Sequence, residues 1–125
     1  MLKLGPALVM TPDLDAALTF YRDVLGLSLS ARFETQLVFD LGGRALHVFA
    51  CAGPAPKAEH GADGAGVISF EVEAIEPAMA ELAAKGVEFL HVRPAWNADA
   101  GLAYAEFCAP GGIVHELVER RRAAR

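Results

Sequence analysis

The sequence predicts an α+β fold made of two tandem βαβββ modules, and three observations predict it. The phrase Gly42-Gly43-Arg44-Ala45-Leu46-His47-Val48 recurs as Gly111-Gly112-Ile113-Val114-His115-Glu116-Leu117. Each copy closes a segment that opens with an apolar strand, an amphipathic helix and a glycine. The landmarks also keep their spacing: Gly86 follows Gly26 by 60 residues, and Gly111 follows Gly42, as Glu116 follows His47, by 69. Self-similarity at a fixed period marks repeated supersecondary units. Two such units bring two similar sheets together, and the space between them is expected to hold a ligand.

The elements follow in order. Residues 4–10 form a short apolar strand that ends at Pro12-Asp13. Asp13 is suited to cap a helix, because its carboxylate accepts a backbone N–H of the next turn. Leu14, Ala17, Leu18, Tyr21, Val24 and Leu25 then fall at helical spacing, and Gly26 stops the helix. Beyond it the period drops to two. Leu27, Leu29, Ala31 and Phe33 alternate with polar residues, residues 35–41 make a further strand, and Gly42-Gly43 turns into another over 44–51. Residues 52–65 are rich in Gly, Pro and Ala and read as the linker. The second module repeats the order. A strand over 66–73 leads to a helix that starts at Glu76-Pro77 and buries Met79, Leu82 and Ala83 before Gly86. Strands over 87–92, 102–108 and 113–119 complete it. The extra length of the second copy is placed in a loop over 93–101, which holds Pro94, Trp96 and Asn97.

At 125 residues the chain reads as one domain, with module 1 over about 1–52, the linker over about 53–65, module 2 over about 66–119 and a basic tail over 120–125. A formal net charge of -5 argues against nucleic acid as a partner. No apolar run is long enough to span a bilayer, and the first residues do not read as a signal peptide. Cys51 and Cys108 are too few for a disulfide framework and read as reduced core thiols, which implies a cytoplasmic setting. There is no phosphate loop, nucleophile elbow or Cys-x-x-Cys. The glycine-rich stretch 61–66 precedes a strand rather than a helix, so it offers no helix N-terminus to a phosphate.

The phrase Phe20-Tyr21-Arg22-Asp23-Val24-Leu25-Gly26-Leu27, preceded by Asp13-Leu14, resembles the glyoxalase, bleomycin-resistance and extradiol-dioxygenase group, the vicinal oxygen chelate superfamily. The run Ala109-Pro110-Gly111-Gly112-Ile113-Val114-His115-Glu116-Leu117-Val118 resembles that family's Asp-Pro-Asp-Gly-Asn-x-x-Glu-Leu ending. The resemblance implies a glyoxalase-like fold whose mixed sheets curl around a central cavity. It also implies a homodimer, in which a partner chain can complete the pocket.

Metal-using members of the family supply ligands from four strand positions. Carried over residue by residue, these fall on Pro6, His47, Val67 and Glu116. Proline and valine offer no donor atom, so His47 and Glu116 are one ligand short of a catalytic zinc or a non-haem iron triad. Glu71 faces the same way as Val67 but is displaced by about 13 Å, four strand steps, and does not replace it. A one-residue slip in register would bring in Leu46 or His115 instead. No cofactor is expected, and a divalent metal, if bound, would rest on His47 and Glu116.

Period two places further residues in the cavity: Pro6, Leu8 and Met10 from the first strand, Val67, Ser69 and Glu71 from the fifth, and Tyr104, Glu106 and Cys108 from the strand before the last turn. Trp96 is expected in the loop over the mouth, or as a plug on the sheet edge, and His60 and His91 are expected to be solvated. Apolar walls with a few carboxylates suit an amphipathic or weakly basic small molecule. The leading expectation is a ligand-binding protein of the bleomycin-resistance kind. Two alternatives are a glyoxalase-like lyase, isomerase or dioxygenase, with Glu116 as base beside His47, and a non-enzymatic interaction module.

Overall fold

The structure is a computed structural model and describes residues 6–51 and 67–121. The expected linker, His60, the glycine-rich stretch 61–66, the start of the first strand and residues 122–125 of the tail lie outside these. The chain divides into two compact units, Met1–Pro56 and Lys57–Arg125. Each holds one four-stranded mixed sheet with a helix, which is the α+β, twice-βαβββ architecture that the repeat predicts.

In the first unit the order is β1 (Ala7–Thr11), α1 (Leu14–Leu18), β2 (Ser28–Arg32), β3 (Gln36–Asp40) and β4 (Ala45–Ala50). The sheet order is β1-β4-β3-β2, with β1 parallel to β4 and the hairpin partners antiparallel. Asp13 caps α1 as expected, its Oδ1 accepting the Ala16 N–H at 3.0 Å. The helix does not stay α-helical to Gly26. Thr19–Val24 widens into a π turn, closed by Leu25 N–H to Phe20 O at 2.9 Å. Both Phe20 and Tyr21 are buried there, and Tyr21 meets Phe39 of β3 at 5.7 Å. Gly42 and Gly43 both take positive φ, 65° and 89°, which the two-residue turn between β3 and β4 requires.

The second unit runs β5 (Ile68–Glu71), α2 (Ile75–Ala84), β6 (Ala95–Asn97), β7 (Leu102–Cys108) and β8 (Val114–Arg120), in the order β5-β8-β7-β6. Helix α2 begins at Ile75, one residue before the expected start. Pro77 is its third residue, still within the turn that needs no N–H donors. Its capping position is Ala74, which has no side-chain acceptor. Glu119 of β8 serves instead, its Oε1 accepting the Ile75 N–H at 2.9 Å. Contact with Arg121 and that N–H hold the Glu119 carboxyl below its usual range. Strand β8 continues to Arg120, and the Arg121 N–H bonds Gly101 O at 2.8 Å, so the tail starts later than expected.

The edge of this sheet departs most from expectation. Residues 87–92 do not form a strand of their own. Phe89 bridges Phe107, Leu90 N–H bonds Glu106 O at 2.8 Å, and Cys108 N–H bonds Glu88 O at 3.0 Å. The pairing then breaks and resumes with Ala95 opposite Tyr104. Residues 91–94 thus lie against Ala105 alone, a wide bulge in one edge strand. Strand β6 sits inside the segment expected to be loop, and the added length of the second module lies before it.

Each sheet buries one face under its helix. In the first unit Leu37, Phe39, Leu46 and Val48 are buried there, and in the second Ala103, Ala105, Phe107, His115 and Leu117 are. His115 has Phe70 edge-on at 5.3 Å and Phe107 at 5.7 Å. Burial lowers its pKa from 6.5 to about 4, so the native ring is neutral. The unfolded chain therefore takes up a proton first as pH falls. The stabilisation is whole above pH 6.5 and is lost as pH drops towards 4, on the order of 3 kcal/mol across that window. His115→Leu should flatten the dependence of the urea midpoint on pH in that range. An unaltered slope would show that His115 is not its source. Asp13→Ala should cost about 1 kcal/mol by urea unfolding, through loss of the α1 cap.

Candidate functional site

The faces opposite the helices carry most of the expected site residues. In the first unit Leu8, His47 and Val38 lie side by side across β1, β4 and β3, and Met10, Phe49 and Gln36 form the next row. His47 is half-buried. Its Nδ1 lies 3.3 Å from Gln36 Oε1, and its ring stacks on Phe49 with centroids 6.0 Å apart. Leu8 and Met10 are 59% and 50% exposed, which leaves an apolar surface flanking the imidazole. Pro6 precedes β1 and is exposed.

In the second unit Ser69, Glu116 and Glu106 lie side by side across β5, β8 and β7. Glu71, Val118, Tyr104 and Ala95 form the next row. Glu106 is 4% exposed, whereas Glu116 is half-buried. Glu71 is exposed and pairs with Arg120 at 2.5 Å, so it is committed to a surface ion pair. Val67 lies just outside β5. Cys108 is a partly buried free thiol on this face, opposite Val114. Burial and then Glu88 push its pKa up, which keeps it protonated. Cys51 is likewise free and half-buried, so neither thiol is a core residue.

The register is settled. Leu46 and His115 both point to the helix-covered faces, so the slip that would have exchanged them for His47 and Glu116 does not occur. Of the two expected places for Trp96, the structure shows the sheet edge and not the loop over a mouth. It lies on β6 opposite Ala103, on the helix-bearing side, and is 48% exposed. One placement needs correction. His91 is not simply solvated. Its Nε2 lies 3.4 Å from Glu106 Oε1, and its ring meets Tyr104 edge-on at 5.8 Å. Sequence periodicity missed His91 because the bulge breaks the alternation that would have assigned its face.

A cleft of about 620 Å³ lies between α2 and the bulged segment, with Met79, Ala83, Val87, Phe89, His91 and Pro94 among its walls. No motif pointed to it, since it forms where the bulge stands away from the helix.

The residues present do not fit the family's four-ligand metal set. Pro6 and Val67 carry no donor, and the neighbours of His47 in register, Leu8 and Val38, carry none either. Among the described residues no three His, Cys, Asp or Glu side chains group to hold a metal ion. None of the helices described is long and apolar enough to cross a membrane.

The sequence profile of the Glyoxalase/Bleomycin resistance protein/Dioxygenase superfamily matches residues 3–118. Among solved structures, a glyoxalase family protein from Enterococcus faecalis superposes with a TM-score of 0.77 at 23% identity, covering 94% of this chain and 97% of that one. Lactoylglutathione lyase from Agrobacterium tumefaciens gives 0.72 at 24% identity, covering 94% and 92%. The fosfomycin resistance protein FosX from Listeria monocytogenes, solved with Mn(II) and sulfate, gives 0.75 at 15% identity, covering 96% and 91%. At these identities the likeness speaks for the fold. None of the curated proteins matches the chain in sequence.

Proposed function

The chain belongs to the glyoxalase/bleomycin resistance protein/dioxygenase superfamily, and from that premise we propose that it binds a small organic ligand on the helix-free faces of its sheets, without a metal of the family type. One observation carries this reading. The face around His47 is apolar and open, with Leu8 and Met10 about half exposed, while two of the four chelating positions hold residues with no donor atom. Sites for small organic molecules combine apolar walls with a few polar groups that fix orientation. His47 and Gln36 supply these on one sheet, and Ser69, Glu106, Glu116 and Tyr104 on the other. The names of two structural relatives, a lactoylglutathione lyase and a fosfomycin resistance protein, point to small-molecule substrates as well. The protein acts as a cytoplasmic homodimer in this reading, and sequestration of a toxic compound is the activity that fits it best.

Native mass spectrometry of protein purified without chelators should show a bound organic species of small mass and less than one divalent ion per chain. One tightly held divalent ion per chain would defeat the metal-free part. No retained organic species, with none acquired from a metabolite extract, would defeat the binding part.

A second reading is favoured by one further observation, the placement of Glu106 beside Glu116 on adjacent strands. A carboxylate next to another is suited to proton transfer, because the pair holds a proton more readily than either alone. In that reading the protein is a lyase or isomerase, and Glu116 takes a proton next to a substrate carbonyl. Once a turnover assay exists, Glu116→Gln should lower kcat by roughly 10²–10⁴ with the fold intact, and unchanged turnover would remove Glu116 from the role.

A further inference from the structure

The bulge at residues 91–94 does more than lengthen an edge strand. Had the register of Phe89 with Phe107 continued, His91 would stand opposite Ala105, on the helix-bearing face. The inserted residues instead hold it at the sheet edge, where it reaches Glu106 and Tyr104 of the face that carries Glu116 and also lines the cleft beside α2. Bulges beside functional sites re-aim side chains in this way. Two contacts then fix the ring. Glu106 Oε1 lies 3.4 Å from Nε2, and the Tyr104 ring meets it at an interplanar angle of 85°. Glu106 is itself nearly fully buried, at 4% exposure, whereas the His91 side chain keeps 27%. The carboxylate is thus a fixed anchor, and the imidazole is the member of the pair open to a ligand.

The geometry favours one tautomer. With Glu106 Oε1 as the acceptor, Nε2 carries the proton and Nδ1 keeps its lone pair. We propose that Glu106 and His91 form an oriented carboxylate–imidazole dyad in which Nδ1 of His91 is the acceptor offered to a ligand that brings an N–H, an O–H or an acidic C–H next to a carbonyl. Its use at a ligand rests on the reading above, but its existence does not. Glu106 is the positioning residue in this dyad, acting through the imidazole.

The test uses the full chain without ligand, so its outcome is separate from that of the binding experiment. Two-bond ¹⁵N–¹H correlations of ¹⁵N-histidine protein at mildly alkaline pH should show His91 as the Nε2–H tautomer. Glu106→Gln should give a mixture, since an amide presents donor and acceptor alike. Glu106→Asp, which shortens the anchor and keeps its charge, should give the same loosening and serves if the glutamine variant does not fold. Carbethoxylation of His91 by diethyl pyrocarbonate, mapped by peptide mass spectrometry, should be about threefold slower in the Glu106 variant than in the parent protein. An Nδ1–H tautomer in the parent protein would overturn the dyad. So would reaction of His91 at the same rate in both proteins. An unreactive His91 that still shows the Nε2–H tautomer would reduce the pair to a structural contact and overturn its role towards a ligand.

Discussion

A β-sheet has two faces, and a single helix covers only one of them. This constraint organises both units. Alternation along each strand sends Leu37, Phe39, Leu46 and Val48 in one unit, and Ala103, Ala105, Phe107 and Leu117 in the other, beneath a helix. The residues between them go to the other face without choice. His47 is where it is because Leu46 and Val48 must be buried, and Glu116 because Leu117 must be. The same rule makes His115 a core residue. One position from Glu116, it is held neutral between two phenylalanines.

What the open faces carry differs between the two copies, and the difference bears on chemistry. The first presents Leu8, Met10 and Phe49 around one imidazole. The second presents Glu106, Glu116, Tyr104 and Ser69, with His91 brought in from the edge. The first face is mainly apolar and the second mainly polar. At the positions that the resemblance assigns to chelation, Pro6 and Val67 carry no donor atom. More of the polar side chains on these faces lie on the second sheet than on the first.

Much of this was legible in the sequence for a physical reason. Period two and the double glycines are strong local signals, so the fold, the register of β4 and β8 and the shared face of Tyr104, Glu106 and Cys108 could be read from them. The failures lie where a distant residue overrides a local rule. Helix α2 starts at Ile75 although Ala74 cannot cap it, because Glu119 arrives from β8, 44 residues further on. The end of the first helix widens into a π turn with Phe20 and Tyr21 both buried, an outcome that helical periodicity does not register. The segment around Trp96 read as loop because the extra length of the second module was placed over 93–101, yet Ala103 pairs with Trp96 on an edge strand.

The segment 87–97 shows why such an edge resists prediction. Proline at 94 has no N–H to give to β7, so a continuous ladder there would lose a bond. A bulge removes that conflict by lifting residues 91–94 out of the pairing, after which Ala95 rejoins one position beyond Ala105. The lifted residues no longer obey alternation. Val92 is left 97% exposed, against its apolar character, while His91 has a buried carboxylate and an aromatic edge within reach and folds back onto them. Within the bulge, strand geometry no longer sets where a side chain goes. A histidine held in that way, beside two glutamates on a face that no helix covers, is placed by interactions that the core does not need.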